Sequence, residues 1–233
     1  MSDRKIVAVI PARAGSRRLK NKNILPFGDY NLLVHKIRQL KKVKDHGWIY
    51  GILVSSDSDE MLRMASDEGV DIHRREEKYA DDVSVPFGEV VKNVCESIDA
   101  TDILWAPCTC PLTLTVNYED AIRIYKNFVP DKNDSLVAFE IIKMFLWDDK
   151  GPINYGIGER HVISQNLPPM YRPTNGIFIA PRMKMIEWKY FHGANPYRFI
   201  MDKISSIDID DEVDLVCARA CLKWEKDHDY ISA

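Results

Sequence analysis

Short β-branched apolar runs alternate along the chain with stretches of helical period, the pattern of stacked β–α units. Residues 5–10 (KIVAVI) are almost continuously apolar and predict a strand buried on both faces. Residues 31–43 carry Leu32, Leu33, Ile37 and Leu40 on one helical stripe, and residues 48–54 predict a second strand running into Ser55-Ser56-Asp57. Ser58 stands where it can N-cap a helix bearing Met61, Leu62 and Ala65 that stops near Gly69. A short strand at 70–73 follows, then a helix over 85–98 with Val90, Val91, Val94 and Ile98 inward. Farther on, the pattern predicts strands at 103–106, 135–139, 176–180 and 205–209, and helices over 118–128 and 212–224. Between 140 and 174 the periodicity loosens, and Phe145, Trp147, Tyr155 and Tyr171 sit among prolines and glycines. That stretch is expected to leave the main sheet. The whole of 1–233 reads as one α/β domain with this excursion, and 227–233 as a frayed tail.

Composition narrows the function classes. The net charge is −3, with 45% hydrophobic and 29% charged residues, which argues against a nucleic-acid or membrane coat and against disorder. The longest weakly charged stretch, 103–118, holds prolines, threonines and cysteines and does not read as a membrane span. The apolar run before Arg13 is too short for a signal peptide. The five cysteines, Cys95, Cys108, Cys110, Cys217 and Cys221, are odd in number and lack zinc spacing. Reduced cysteines and a cytoplasmic location are the expectation.

The densest chemistry follows the first strand, in Pro11-Ala-Arg-Ala-Gly-Ser-Arg-Arg-Leu-Lys-Asn-Lys-Asn23. Open α/β sheets bind ligands at the carboxyl ends of their strands. Gly15 and Ser16 allow a tight turn whose N–H groups can converge on an anion. Arg13, Arg17, Arg18, Lys20 and Lys22 add five cations in an otherwise acidic chain. A solvated basic loop is the bland alternative; a polyphosphate site accounts for the coincidence better. Neither a Walker loop nor G-x-G-x-x-G is present.

The run IPARAGSRRLKNKNI resembles the signature of the acylneuraminate cytidylyltransferase (CMP-sialic acid synthetase) family. Further blocks agree in order: Leu53-Val-Ser-Ser-Asp57, Arg75-Glu-Glu-Lys-Tyr-Ala-Asp81-Asp82, Thr109-Cys-Pro-Leu112, Asn175-Gly176 and Ser206-Ile-Asp208-Ile-Asp210. The resemblance implies a Rossmann-like, mostly parallel sheet flanked by helices. It also implies that an acidic-sugar hydroxyl attacks the α-phosphate of CTP and releases pyrophosphate. Arg13, Ser16 and Lys22 match positions that hold the triphosphate, with Lys22 at the α-phosphate and Arg13 on the β/γ side. Asn23, Arg75 and Ser84 match positions near the nucleotide. Asn175 and Arg172 are the acceptor candidates. The family also implies a homodimer, here joined through the excursion at 140–174.

Asp208 and Asp210 would share one face if they lay on a strand, and could then hold Mg²⁺ together with phosphate oxygens. Asp210 could also take the proton of the attacking hydroxyl. The competing reading makes this acidic run a cap for the last helix. Asp57 divides similarly between the ligand edge and a helix cap, and the cap is expected. Departures from the family lie on the acceptor side: Pro107 stands where relatives carry Gln, and Cys110 where they carry Ser. The Arg that commonly precedes Q-D-L-P is missing from Val162-Ile-Ser-Gln-Asn-Leu-Pro168, with Arg160 and Arg172 nearby. Thr109, where octulosonate enzymes have Asp, disfavours the eight-carbon acid. A nonulosonic acid is the leading acceptor, a phosphonate or other small acid the runner-up, and a catalytically silent nucleotide-binding subunit a third reading.

Overall fold

The computed structural model describes residues 4–16, 18–80, 85–158 and 162–227. In chain order the strands and α-helices are β1 (Ile6–Pro11), β2 (Pro26–Phe27), β3 (Tyr30–Asn31), α1 (Leu32–Asp45), β4 (Gly51–Ser56), α2 (Asp59–Asp67), β5 (Asp71–Arg74), α3 (Phe87–Glu96) and β6 (Asp102–Trp105). There follow α4 (Thr115–Lys132), β7 (Ser135–Ile142), β8 (Trp147–Asp148), β9 (Gly151–Pro152), β10 (Met170–Pro181), α5 (Arg182–Trp188), β11 (Pro196–Ile200) and α6 (Glu212–Asp227).

Seven strands form one sheet in the order β11-β7-β10-β6-β1-β4-β5. β1 runs parallel to β4 and β6, β4 to β5 and β11 to β7, while β10 alone runs against its neighbours. The sheet is therefore mostly parallel, as expected. Its central parallel strands β1, β4 and β6 are buried on both faces because helices cover both. Ile6, Ala8 and Ile10 of β1 pack with Leu33, Ile37 and Leu40 of α1 and with Tyr118 and Ile122 of α4. Val7 and Val9 turn the other way, onto Val90, Val91 and Val94 of α3 and Met185 of α5. Asp102, fully buried at the start of β6, is satisfied by Arg4 Nη1 at 2.7 Å and the Tyr125 hydroxyl at 2.6 Å.

The structure departs from the expected elements in two places. Residues 205–209 are not a strand. The Asp202 carboxylate accepts the N–H groups of Ile204 (2.9 Å) and Ser205 (3.0 Å), and Ser206 N–H closes onto the Asp202 carbonyl. This folds the segment into turns. The last strand is instead β11, whose opening proline suits an outer strand that needs no N–H there. The short helix α5 was also not predicted. The excursion is shorter than expected: β7 and β10 run on within the main sheet through the pairs Glu140–Arg172 and Ile142–Met170, and only beyond them does the chain leave it, where β8 and β9 pair as a small hairpin. Gly151, at φ +130°, takes a backbone angle there that L side chains rarely adopt. Met144, Trp147, Ile153, Ile157 and Ile163 are exposed in this region. All five cysteines are unpaired, and among the described residues no helix is long and apolar enough to cross a membrane.

Candidate active site

Register brings the carboxyl ends of the central strands level: Pro11 lies opposite Ser55, and Ser56 opposite Arg74. The loop after β1 is then tied down along this edge. Ala12 N–H reaches the Ser55 carbonyl at 2.9 Å, and Arg75 N–H reaches the Ser56 carbonyl at 2.9 Å. Ala14 N–H donates to Asp57 Oδ1 at 3.1 Å. Asp57 therefore holds the loop and does not cap α2; Ser58 is the cap, accepting Met61 N–H. Ser58 has the extended backbone of an N-cap position. Ser16 N–H closes onto the Ala14 carbonyl at 3.0 Å, so that amide is spent within the turn. The left-handed residue of the loop is Asn21, at φ 54°, not Gly15.

A cleft of about 420 Å³ opens above these strand ends, lined by Pro11, Arg13, Ser16, Arg18, Lys22, Asn23, Arg75, Phe87, Thr109 and Asp210. Six expected site residues, Arg13, Ser16, Lys22, Asn23, Arg75 and Asp210, meet in it. Asn23 is buried, donating from Nδ2 to the Arg13 carbonyl at 2.9 Å and accepting the Cys108 thiol at 3.1 Å. Arg75 is 6% exposed, donates from Nη2 to the Ser55 carbonyl at 3.0 Å, and keeps a buried Nε with no partner. Burial pulls its guanidinium below the ordinary range, Asp57 opposing and Arg13 adding to the shift. Lys22 Nζ donates to the Ile209 carbonyl at 2.7 Å and to Asp210 Oδ1 at 3.2 Å, and Arg18 Nη2 meets the same oxygen at 3.0 Å. Ser84 lies outside the described residues, as do Arg17 and Arg160.

Asp208 and Asp210 sit outside any strand, held where Ile209 N–H meets the Thr109 carbonyl at 2.9 Å. The capping of α6 falls to their neighbours. Asp211 Oδ1 accepts Asp214 N–H at 3.0 Å, and Asp214 Oδ2 accepts the N–H groups of Asp210 (2.9 Å) and Asp211 (3.1 Å). That removes the capping account of the two carboxylates. Asp208 Oδ2 accepts the Asn175 amide, while its Oδ1 is buried with no hydrogen-bond partner. A buried carboxylate oxygen without a hydrogen bond suits a hard divalent cation. Among the described residues no group of three or more His, Cys, Asp or Glu side chains could hold a metal ion.

The acceptor candidates sit differently. Asn175 is engaged with Asp208, and Arg172 spends its Nε and Nη2 on Glu140 Oε2, with Nη2 also 3.4 Å from the Ser206 carbonyl. Neither lines the cleft. Burial pushes the Cys108 thiol up to about 12 and the Cys110 thiol well above its usual range, the latter aided by Asp208. Both stay protonated, so neither is a thiolate nucleophile. The sequence reading missed Phe87, 46% exposed at the mouth of the cleft. An aromatic at the first position of a helix carries no signal of that role.

The chain is 28% identical over 221 residues to the N-acylneuraminate cytidylyltransferase of Escherichia coli O18:K1:H7, which covers 92% of this chain but only 51% of that protein. It is 22% identical over 228 residues to the pseudaminic acid cytidylyltransferase of Campylobacter jejuni, covering 94% of this chain and 97% of the relative. Among solved structures, a CMP:2-keto-3-deoxy-manno-octonic acid synthetase complexed with CTP superposes with a TM-score of 0.70 at 14% identity, over 95% of this chain and 99% of that one. At that identity the likeness speaks for the fold. The pattern of the cytidylyltransferase family matches residues 7–136, more than half of the chain. With the strand-end cleft and its converging cations, that match identifies the chain as a member of the cytidylyltransferase family.

Proposed function

We propose that the protein transfers CMP from CTP to a nonulosonic acid and releases pyrophosphate. The observation that carries this reading is the cleft in which Arg13, Arg18, Lys22 and Arg75 converge on one strand-end edge beside Asp210. The names of the E. coli and C. jejuni relatives supply the acceptor class. An acceptor hydroxyl attacks the α-phosphorus, the bond from that phosphorus to the bridging oxygen breaks, and pyrophosphate leaves with the electron pair. Such a reaction needs placed positive charge rather than a covalent nucleophile. Lys22 exchanges Asp210 for the α-phosphate, and Arg13 and Ser16 hold the β/γ end. Asn23 and Arg75 face the nucleoside, with Ser84 as a further contact. Asp210 takes the hydroxyl proton as the acceptor attacks. Asp208 and Asp210 would hold Mg²⁺, which supplies Lewis-acid stabilisation of phosphate charge when bound. Asn175 and Arg172 orient the acid, Arg172 through a guanidinium whose fork suits a carboxylate.

The exposed apolar residues Met144, Trp147, Ile153 and Ile157 fit a homodimer joined through the excursion. Light scattering at micromolar concentration is expected to give twice the chain mass; a monomer mass rejects the dimer.

The deciding experiment mixes the protein with CTP, Mg²⁺ and a panel of nonulosonic acids and phosphonates and follows pyrophosphate. Turnover with a nonulosonic acid is expected. Turnover confined to a phosphonate moves the acceptor class, for which Pro107 leaves room. Nucleotide binding without turnover on any acid would leave a silent subunit.

A further inference from the structure

Lys36 has no part in the reaction above, yet it is fully buried in α1. Among the described residues no carboxylate pairs with it. An unpaired ammonium in the core works against stability, so the charge asks for another account. Its Nζ donates to the Cys110 carbonyl at 2.8 Å and to the Tyr118 hydroxyl at 2.6 Å, and lies 5.0 Å from the centre of the Tyr118 ring.

Each contact begins a chain of bonds toward the site. Cys110 follows Thr109, whose carbonyl accepts Ile209 N–H at 2.9 Å. Tyr118 donates onward to the Gly176 carbonyl at 3.4 Å, next to Asn175, whose amide holds Asp208. Gly176 permits this packing, since a Cβ there would stand 2.8 Å from Thr113 Oγ1 and 3.0 Å from Met201 Cε. Both routes end on Asp208-Ile209-Asp210, one from each side.

We propose that Lys36 is a positioning residue whose buried ammonium, acting through the Cys110 carbonyl and the Tyr118 hydroxyl, sets the placement of the segment Asp208-Ile209-Asp210, whose Asp210 lines the cleft. The groups facing it are the Cys108 and Cys110 thiols and the Tyr118 phenol, and burial keeps all three neutral. Burial also lowers Lys36 to about 8, which leaves it charged near neutral pH. The proposal rests on the cytidylyl-transfer reading only for its kinetic readout.

The test is Lys36→Met, close in size and uncharged, with Tyr118→Phe as a milder cut of the second route. Near-UV CD and Tm report the fold, EPR titration reports Mn²⁺ binding without turnover, and kcat and KM for CTP report the reaction. Relief of the buried charge is expected to keep Tm at or above wild type. Mn²⁺ binding should weaken about tenfold and kcat fall about 100-fold, with KM for CTP little changed. Tyr118→Phe should shift Mn²⁺ binding and kcat the same way by less. Wild-type Mn²⁺ binding and kcat in Lys36→Met would overturn the proposal. So would a loss that tracks a fallen Tm while Tyr118→Phe behaves as wild type. If Lys36→Met does not fold, Tyr118→Phe decides alone. If wild type transfers no CMP but Lys36→Met still weakens Mn²⁺ binding, the positioning role stands and the functional reading falls.

Discussion

The flank of the sheet proposed for the nucleotide and the flank proposed for the acceptor are built by different means. On the nucleotide edge the ladder of β1, β4 and β5 continues past the strand ends through Ala12, Ala14 and Arg75, each bonded to the neighbouring strand's end or to Asp57. The cations there stand on a backbone that is already ordered. On the acceptor edge, β10 breaks register between Pro173 and Phe178, and the excursion beyond it carries exposed apolar side chains. Its ties are short polar ones, such as Asn154 bonding the Met144 carbonyl and Leu146 N–H within one loop. Under the proposed function, a preorganised phosphate site would bind a constant partner, while a loosely tied flank could change its acceptor contacts without disturbing the ladder.

The sharpest break of this contrast is Lys22→Ala. If the nucleotide edge acts on charge that develops during transfer, kcat should fall on the order of 100- to 1000-fold, well beyond any change in CTP binding. A change confined to KM for CTP would reduce Lys22 to a binding group. Next come Asp208→Asn and Asp210→Asn. Each keeps the shape but loses an anionic oxygen, so activity should drop about 100-fold and more Mg²⁺ should be required. Tm should hold, because Asp211 and Asp214 cap α6; normal activity at ordinary Mg²⁺ would move the metal site elsewhere.

Arg172→Ala probes the acceptor edge. KM for the acid should rise about tenfold, as for one lost charge-assisted hydrogen bond, while KM for CTP stays put. A loss of Tm alone would make Arg172 a cross-strand tie to Glu140 and nothing more. The smallest effect belongs to Asp211→Ala, which removes a helix cap and should cost about 1 kcal/mol of unfolding free energy, read by urea denaturation, with kcat near wild type.

Much of the nucleotide edge was legible beforehand because its signals are local. A strand, a basic loop and an N-cap each occupy a few consecutive residues, and Ser58 capping α2 follows directly from that. Asp57 was misread for the same reason: its partner, Ala14, lies 43 residues away. The strand expected at 205–209 failed because Asp202 offers its carboxylate to the next turn, and alternating apolar residues do not reveal such competition. β11 escaped notice behind Pro196, although an outer strand tolerates a proline at its start.

The sequence by itself determined the α/β alternation, the double-sided burial of β1 and the cluster of cations after it, since periodicity and charge are properties of neighbours along the chain. Only the tertiary structure decided that Asp211 and Asp214, not Asp208 and Asp210, cap α6. It alone showed that Arg172 is committed to Glu140 and that a buried Lys36 reaches the loop carrying Thr109. The last two pairings join residues dozens of positions apart. Their existence depends on which strand lies beside which, and a hydrogen bond a few ångströms long is settled by that register rather than by the order of residues.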